Sequence, residues 1–468
     1  MAQASLKRNF SQGLKATRPL NILIVGAGVC GPAFATLLQR SHAQYNITIV
    51  EQAPSLRLGG QQLDLKVHGY PIVKKMGLLE AVKSRCVGET GAEMVNSKGD
   101  VIAQFGVNDA EADGSTFLTQ EYEIMRGDLV EVFYEASIAQ RAKLDGAGKQ
   151  GGLAYEFGKT ITELTQDGEN GENGVGVTFS DGQKKRYDLV VGADGQGSRT
   201  RRLLLGQQAS DEAFHSLDIH AAFYSIPRQE GEGSVAKLYL GTGGRGLVTR
   251  TGDNLSVTQV YLFAMGKEHS QMLKQASKES PETRKRLWMD LFRDAGWQSE
   301  RLTKGAATTD DFHAWELAQI RLKQLYSGRV ALLGDAGYCP TVFTGMGTTA
   351  SLVGSWVLAG ELARHGDDIS GALRAYDEVM RSPIDDWQQM LATVSNVRVP
   401  SSRLGVWLLD NAIWAFSSLG SKLGLGRLSP RGPREKEGAW RLPEYPELYS
   451  ESESESRSSR AERSRGGS

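Results

Sequence analysis

The feature that most constrains the fold of this chain is a glycine-rich turn near its start, residues 26–31 (GAGVCG). An apolar run, residues 21–25 (NILIV), leads into the turn, and residues 33–39 follow it with small side chains at helical spacing. A second apolar run, residues 46–50 (NITIV), ends at Glu51. Short apolar runs on either side of a helix are typical of buried parallel strands, so this stretch predicts a βαβ unit.

The spacing Gly26-x-Gly28-x-x-Gly31 is typical of a turn that binds a dinucleotide. The first glycine allows the tight turn from strand to helix, the second lets the backbone approach a pyrophosphate, and the third lets helix and strand pack closely. The helix N-terminus then offers N–H groups to the anion. Glu51 lies 20 residues beyond Gly31, where a carboxylate can accept hydrogen bonds from ribose hydroxyls. This fingerprint does not separate NAD from FAD.

Two later apolar runs are each followed by a turn that contains an aspartate, just as the first run is followed by the glycine turn. Residues 187–191 (YDLVV) precede Asp194-Gly195, and residues 329–333 (RVALL) precede Asp335. Residues 345–348 (GMGT) then open a helical pattern, and a helix N-terminus can stabilise negative charge on a flat ligand. Together with the first turn, these segments predict one large cofactor that is contacted from several parts of the chain, and FAD is such a ligand.

Hydrophobic patterning predicts the remaining elements. Alternating patterns indicate one strand over 153–164, another over 184–191 and a β-rich block over about 214–263. A long helical tract is predicted over 344–397, with Pro383 marking a break.

In this order, the three turn segments resemble the signature set of class A FAD-dependent monooxygenases, which have the p-hydroxybenzoate hydroxylase fold. Arg126 matches a fourth element of that family, an arginine at a helix start that contacts the flavin cofactor. Residues 59–65 (GGQQLDL) are similar to a segment of tetracycline-inactivating monooxygenases. Residues 338–340 (YCP) with 345–347 (GMG) resemble a fungal branch linked to secondary metabolism. Many relatives carry His where Tyr338 stands, a departure that leaves the local hydrogen bonding near the flavin open but does not affect the expectation of FAD binding.

The resemblance implies an α/β fold with a Rossmann-like FAD-binding domain, an inserted β-sheet substrate domain and a helical C-terminal region. The FAD-binding domain is expected over 20–210 and 320–398, and the substrate domain over 211–319. The flanking parts are expected to be a flexible basic extension over 1–19, a helical or extended segment over 399–449 and a disordered tail over 450–468, which is almost all Ser, Glu and Arg.

The resemblance also implies an activity. NADPH or NADH reduces FAD, the reduced flavin reacts with O₂ to form a C4a-hydroperoxide, and one oxygen is inserted into a small aromatic, polyketide-like or terpenoid-like substrate, with a role in secondary metabolism. Two alternatives stay open: an FAD-dependent oxidase or dehydrogenase without oxygen insertion, and a flavin-binding protein without turnover. A halogenase is disfavoured because the Trp-x-Trp-x-Ile-Pro segment of flavin halogenases does not occur.

The expected site residues fall into two groups. The cofactor-binding group, which would hold non-covalent FAD, consists of Gly26, Gly28, Gly31, Glu51, Gly60, Arg126, Asp194, Gly195, Asp335, Gly345, Gly347 and Thr348. On the β-rich block, His220 and Tyr239 are candidate pocket residues and Tyr224 is a candidate base. Phe343, in the loop that leads to residues 345–348, is a third candidate pocket residue. No metal site is expected, because the cysteines Cys30, Cys86 and Cys339 lack the spacing of metal ligands.

Charge and hydropathy limit the expected partners. Lys plus Arg number 54 and Asp plus Glu 55, a net charge of −1, so no basic excess drives nucleic-acid binding. No apolar run reaches the length of a transmembrane helix, although residues 400–449 could contact a membrane surface. The cytoplasm is the expected location, with an organellar presequence over 1–18 as the alternative, because the first 50 residues hold no Asp or Glu.

Overall fold

The structure is a computed structural model that describes residues 18–41, 44–66, 68–106, 122–168, 173–252, 255–394, 402–422 and 440–450. Residues 1–17 and 451–468, which carry most of the predicted basic extension and the predicted tail, lie outside the described residues. The two predictions about those segments therefore stay predictions.

The described chain alternates strands and helices in its first half and ends in long helices. The strands are β1 (Leu20–Val25), β2 (Tyr45–Glu51), β3 (Gln62–Asp64), β4 (Gly91–Val95), β5 (Val101–Gly106), β6 (Glu123–Met125), β7 (Gly152–Phe157), β8 (Ile161–Gln166), β9 (Val175–Phe179), β10 (Lys184–Tyr187), β11 (Leu189–Gly192), β12 (Phe214–Pro227), β13 (Val235–Gly241), β14 (Arg245–Arg250), β15 (Val257–Met265), β16 (His313–Ile320), β17 (Tyr326–Ser327) and β18 (Val330–Leu332). The helices are α1 (Cys30–Arg40), α2 (Gly69–Lys75), α3 (Leu79–Lys83), α4 (Arg126–Gly146), α5 (Arg199–Leu205), α6 (Gln207–Glu212), α7 (Lys267–Ala276), α8 (Pro281–Phe292), α9 (Ser299–Thr308), α10 (Asp335–Tyr338), α11 (Gly347–His365), α12 (Ile369–Val394) and α13 (Arg403–Lys422).

A six-stranded sheet in the order β17-β18-β11-β1-β2-β7 forms the first layer, and its neighbouring strands run parallel except at β17–β18. Ile22 and Ile24 of β1 face a core built with α1, α4, α11 and α12. Leu23 and Val25 face a second core, against the three-stranded sheet β10-β9-β8. Both faces of β1 are therefore buried, which explains why its sequence is an unbroken apolar run.

Two predicted strands are each divided between two sheets. The stretch 184–191 forms β10 in the three-stranded sheet and β11 in the parallel sheet, with Asp188 between them. The Asp188 carboxylate accepts hydrogen bonds from the Asn21 backbone N–H (2.8 Å) and from the Arg18 guanidinium (2.7 and 2.8 Å). The stretch 153–164 likewise divides into β7 and β8. The prediction of single strands was wrong because each stretch changes sheets partway along, at Asp188 in one and at residues 158–160 in the other.

A seven-stranded sheet in the order β16-β12-β15-β14-β13-β4-β5 forms the second large layer, antiparallel except at β13–β4. Helices α7, α8 and α9 cover one of its faces and share a core with it. The sheet includes β4 and β5, which precede the segment 211–319 in the chain. The division into domains stays a prediction.

The long C-terminal tract is two helices that meet at Gly366. This glycine has a φ of +58°, a left-handed conformation that ends α11. Pro383 lies inside α12 instead of ending it, so the predicted position of the break was wrong. A proline removes one helical hydrogen bond, whereas the backbone at Gly366 leaves the helical conformation altogether.

Residues 440–450 fold back onto α11. The Trp356 indole donates to the Pro443 carbonyl (2.8 Å) and stacks against Tyr449, with ring centroids 5.8 Å apart. The buried Tyr445 hydroxyl donates to the Glu361 carboxylate (2.5 Å). This segment therefore closes the helical core at the end opposite the sheet edge that carries the glycine turn.

Helix α13 packs against β5 and leaves apolar side chains exposed. Leu404, Trp407 and Leu408 are 66%, 59% and 54% exposed. None of the described helices combines the length and the hydropathy needed to cross a lipid bilayer. Membrane contact through 400–449 stays a prediction.

Gly360 tests the docking of the C-terminal segment. An added Cβ there would meet the Tyr445 ring at 2.3 Å, whereas at Gly146, in α4, it would meet nothing within 4 Å among the described residues. We expect Gly360→Ala to lower the free energy of unfolding by about 1–3 kcal/mol, because a buried ring must move. Gly146→Ala, the control, should be neutral or stabilising by up to about 1 kcal/mol. Urea unfolding measures both, and equal midpoints would contradict this docking.

Candidate functional site

A cavity of about 1180 Å³ lies between the carboxyl ends of the parallel strands and the uncovered face of the seven-stranded sheet. The turns after β1, β11 and β18, which are far apart in sequence, all line it. In open parallel sheets, ligands bind at the carboxyl ends of the strands. The volume exceeds the range typical of a pocket for one small molecule, so it can hold an extended ligand and a second molecule.

The three glycines of the first turn have different surroundings. A Cβ on Gly26, whose φ is +110°, would lie 2.5 Å from the Ala193 carbonyl oxygen, and one on Gly31 would lie 2.1 Å from the Gly26 carbonyl oxygen. Among the described residues, a Cβ on Gly28 would meet only the Arg126 guanidinium, at 3.4 Å. Gly26 and Gly31 are therefore required by packing, while Gly28 leaves free space where a ligand can approach the backbone.

The Glu51 carboxylate is buried against this turn. Its two oxygens accept hydrogen bonds from the backbone N–H groups of Ala27 and Ala53, each at 3.0 Å. Arg57 lies 3.7 Å from one of them. An ionised carboxylate can accept about four hydrogen bonds, so Glu51, which lines the cavity, retains acceptor sites for a ligand.

Arg126 begins α4 and extends across the cavity toward Gly28. Its backbone N–H donates to the Gln61 carbonyl (2.9 Å), and its guanidinium makes one long hydrogen bond, 3.4 Å, to the Gly59 carbonyl. Gly60, with a φ of +131°, packs against its aliphatic stem, because a Cβ there would lie 2.9 Å from Arg126 Cδ. Burial, and the neighbouring Arg57 charge, lower the pKa of Arg126. A half-buried guanidinium with one weak hydrogen bond to the described residues is suited to binding an anionic or polar ligand.

Asp335 begins the short helix α10 at the end of β18 and lines the same cavity. Burial raises the pKa of its carboxyl, while the Cys339 thiol that donates to it and the charge of Arg126 lower that pKa. Gly334 adopts a φ of +63°, and a Cβ there would lie 2.4 Å from Cys30 Sγ. The turn is therefore fixed by close packing against α1, and its carboxylate faces the cavity.

Asp194 has a different role from that of Asp335. Its carboxylate accepts hydrogen bonds from Ser198 Oγ (2.5 Å) and from the backbone and hydroxyl of Thr200 (2.9 and 3.0 Å), so it holds the start of α5. Gly195, with a φ of +78°, also lines the cavity. Arg201 is buried and donates to the Ala336 carbonyl (2.8 Å), which ties α5 to α10.

The N-terminus of α11 faces the cavity through residues 345–348. Gly345 has a φ of +62°, and Gly345, Gly347 and Thr348 all line the cavity. The nearby Tyr338 side chain points away from it: a Cβ on Gly354 would lie 1.7 Å from its hydroxyl, to which Tyr376 donates at 3.3 Å. The Tyr338 side chain therefore belongs to the helical core and not to the lining of the cavity.

The wall opposite the turns is mostly apolar. It consists of side chains from the seven-stranded sheet and the loop before α11, namely Leu217, Ile219, Ala221, Phe223, Leu238, Leu240, Val248, Phe263, Met265, Trp315, Val342 and Phe343. The ring centroids of Phe343 and Phe263 lie 5.8 Å apart. The structure thus places Phe343 in the pocket, as its position in the loop predicts.

The structure does not bring His220, Tyr224 and Tyr239 to the cavity. They alternate with cavity-lining residues on β12 and β13 and face the core under α7, α8 and α9. The Tyr224 hydroxyl donates to the Leu302 carbonyl (2.9 Å), and the Tyr239 hydroxyl donates to the Ala295 carbonyl (3.0 Å). His220 Nε2 lies 3.3 Å from Ser270 Oγ, and burial lowers the pKa of its imidazole. The assignment of these three residues to the pocket was wrong, because they project from the face of the sheet that α7, α8 and α9 cover and not from the face that lines the cavity.

Sequence reasoning missed a polar group on the same wall. Gln62, Asp64, Arg250 and Tyr261 line the cavity from β3, β14 and β15. Gln62 and Asp64 stand in the segment 59–65, whose resemblance to tetracycline-inactivating monooxygenases was the one available signal. Arg250 and Tyr261 lie on strands of the predicted substrate domain, and the sequence pattern does not show which face of the sheet their side chains occupy.

Comparison with known proteins agrees with this geometry. Residues 20–382 match the family described as FAD binding domain. FAD-dependent monooxygenase asL6 of Sarocladium schorii is 41% identical over 437 residues, which cover 92% of this chain and 99% of that protein. Monooxygenase CTB7 of Cercospora beticola is 31% identical, over 87% of this chain and 93% of its own length.

Solved structures share the fold. Tetracycline destructase Tet(51) superposes with a TM-score of 0.67 at 24% identity, over 86% of this chain and 98% of its own. Klebsiella pneumoniae HpxO complexed with FAD and uric acid has a TM-score of 0.60 at 19% identity, over 87% and 95%. The predicted fold class and cofactor are confirmed. The chain belongs to the FAD binding domain family and, within it, to the FAD-dependent monooxygenases.

Proposed function

We propose that this protein is an NAD(P)H-consuming monooxygenase that inserts one oxygen atom of O₂ into a small, largely apolar organic substrate of secondary metabolism. The observation that carries the proposal is the single continuous cavity. It joins the turns at Gly28, Arg126 and Asp335 to an apolar wall that includes Phe263 and Phe343. A cofactor held by the turns would meet a substrate held by the wall without leaving the protein.

The residues at the turns fit FAD. The space over Gly28 and the N-terminus of α1 would take the pyrophosphate, and Glu51 would accept hydrogen bonds from the ribose. Arg126 would donate hydrogen bonds to the middle of the cofactor, and Asp335 would accept hydrogen bonds from it. The N-terminus of α11 would stabilise negative charge on the cofactor's ring. When bound and reduced, FAD supplies the electrons that activate O₂.

The apolar wall supports an aromatic, polyketide-like or terpenoid-like substrate. Side chains such as Trp315 and Phe223 bury ring faces and exclude water, which protects a reactive oxygen donor from hydrolysis. The fungal origin of the relatives named above supports a role in secondary metabolism. An oxidase without oxygen insertion is the alternative, and it needs no such enclosed apolar space beside the ring.

Arg199 and Arg202 line the cavity at the start of α5. We assign them to transient docking of the reductant, because guanidinium groups bind phosphates. The other stretch with the same glycine spacing, residues 241–246, connects β13 to β14 and opens no helix, so it does not form a second dinucleotide site. Arg201, between them, is committed to the contact with α10 described above.

The test is a spectroscopic assay of purified protein. It should be yellow, and NADPH or NADH should bleach the flavin, faster when a suitable aromatic or polyketide substrate is present. Oxygenated product should then form with reductant consumption. A colourless protein that cannot be loaded with FAD would overturn the proposal, and stoichiometric H₂O₂ with no oxygenated product would favour the oxidase.

Arg126→Ala should weaken FAD binding. It removes a charged donor, and hydrogen bonds to charged groups contribute about 1.5–3 kcal/mol, or roughly 10- to 150-fold in affinity. Arg85→Ala is the matched control, since Arg85 pairs with Glu131 and Glu135 on the outer side of α4 (2.7 and 3.1 Å). Flavin fluorescence titration of the FAD-free proteins measures both constants. Equal affinities in the two variants would contradict the role of Arg126.

Asp335→Asn should change affinity and stability in opposite directions. Burial raises the pKa of Asp335 in the folded protein, so the FAD-free fold loses stability as pH rises above the unfolded value of about 3.9. Asparagine removes that cost. The FAD-free variant should therefore melt at a higher temperature than wild type at pH 7, with the gain vanishing near pH 4, while FAD affinity falls. A variant that is less stable without FAD at neutral pH would argue against this carboxylate being strained.

A further inference from the structure

One row of residues on the cavity face of the seven-stranded sheet alternates between large and small side chains. In register across β16, β12, β15, β14 and β13, and all lining the cavity, it consists of Trp315, Ala221, Phe263, Gly246 and Leu240. The row beside it also lines the cavity, has no residue smaller than valine, and consists of His313, Phe223, Tyr261, Val248 and Leu238. The wall therefore has two depressions, over Ala221 and over Gly246, one on each side of Phe263.

A ring contact separates these two depressions. Phe343, in the loop before α11, packs against Phe263 with the ring centroids 5.8 Å apart and the ring planes at 38°. Two rings at this distance are in contact, so no ligand passes between them. The spaces over Ala221 and Gly246 are therefore separate compartments of the apolar part of the cavity.

The two compartments differ in their distance from the turn that carries Asp335. On the Ala221 side, β16 is bonded to that turn, since the Ile320 backbone N–H donates to the Cys339 carbonyl (3.0 Å). Gly246 lies two strands away from Ala221 in the sheet, which corresponds to about 10 Å. The Gly246 compartment is thus the one farther from the Asp335 turn.

The fold does not require a glycine at position 246. Its φ lies outside the left-handed region, and an added Cβ would meet Met265 Cε and Phe263 Cβ at 3.5 Å and Leu240 Cδ2 at 3.8 Å, which are ordinary contacts. Gly244, in the preceding turn, is different, because its φ is +72° and a Cβ there would lie 2.5 Å from the Met265 carbonyl oxygen. Glycine within a strand weakens the strand and often marks a place where a ligand approaches closely.

The compartment over Gly246 is apolar and can widen. The side chains of Met265, Phe263 and Leu240 surround it, and none of them carries a hydrogen-bond donor. The nearest group, the Met265 methyl, is the end of a long flexible side chain that can move aside for a ligand. A polar group would lose its water there without gaining a partner, so an apolar group is the one that fits.

We propose that Gly246 is a specificity-determining residue, and that the substrate is an extended apolar molecule of two rings or more. The inference rests on the proposed function. One ring of the substrate lies on the Ala221 side, and a second ring or a branched alkyl group extends around the contact between Phe263 and Phe343 into the compartment over Gly246. Any side chain at position 246 shortens that compartment and excludes the second group, because specificity follows from clashes as well as from contacts.

Gly246→Ala and Gly246→Val test the proposal in FAD-loaded protein, with phenol and 4-phenylphenol as the probes. Binding is followed through the change in the flavin absorbance spectrum. Wild type should bind 4-phenylphenol about tenfold or more tightly than phenol, because the second ring buries further apolar surface. Gly246→Ala should lose about tenfold in 4-phenylphenol affinity and Gly246→Val more, since one methylene in an apolar pocket changes discrimination by roughly 10- to 200-fold. Neither variant should change the affinity for phenol.

Two further variants serve as controls. Gly152→Val changes a strand glycine of β7 that does not line the cavity, and a Cβ there would meet only Asn46 Oδ1, at 3.6 Å, among the described residues. It should bind both probes as wild type does. Ala221→Val fills the other compartment and should weaken the binding of both probes. Melting temperatures show whether each variant folds, and Gly246→Ala should not melt below wild type, since the added Cβ makes only ordinary contacts.

The outcomes separate this proposal from the proposed function. Unchanged 4-phenylphenol affinity in Gly246→Val, equal affinities of wild type for the two probes, a wild-type protein that binds neither, or a clear loss of stability in Gly246→Ala would each overturn the role of Gly246. Flavin content and NAD(P)H-dependent bleaching are measured on the same wild-type sample. If these persist, only the assignment of Gly246 fails; if they are absent, the proposed function fails.

Discussion

The close approach of two backbone turns determines where everything else in this site lies. At Gly26 there is no room for a side chain, because the Ala193 carbonyl occupies the space, and at Gly31 the Gly26 carbonyl does the same. These contacts hold the ends of β1 and β11 together, and β18 continues the same edge. Three carboxyl-terminal turns therefore converge on one cavity, and Glu51 and Asp335 reach it from strands on either side of β1.

The FAD-binding half could be predicted from sequence because its signals are local. A strand that is buried on both faces is a continuous apolar run, and a position in a tight turn that admits no Cβ must be occupied by glycine. Residues 21–31 show both patterns, so their structure can be predicted from their own sequence. The failures occurred where the relevant constraint is not local. The change of sheet at Asp188 depends on the partner strands β9 and β18. The helical tract breaks at Gly366, where the backbone leaves the helical conformation, and not at Pro383, where the sequence pattern places the break.

The substrate wall could not be predicted at the level of single residues for a related reason. A strand reverses its facing at every residue, so the side chains that line the cavity are one position from those that do not. On β12, Phe223 lines the cavity and Tyr224 packs under α9. Since helices cover the far face, polar and aromatic residues occur on both sides, and only the packing of α7, α8 and α9 decides which face is free.

A polar cluster of Arg250, Glu89, Glu123, Asp64 and Tyr261 at the cavity wall shows why a structure adds chemistry that a sequence scan does not reveal. Its members come from β3, β6, β14, β15 and the loop before β4, and none stands in a motif that specifies its partners. The ion pairs of Arg250 with Glu89 and Glu123 are sufficient to hold these elements together. Buried ion pairs contribute little to net stability, because desolvation of the charges offsets their attraction. Asp64, whose buried Oδ1 accepts no hydrogen bond from the described residues, worsens that balance. The cluster therefore does more to fix the arrangement of the polar end of the cavity wall than to stabilise the fold.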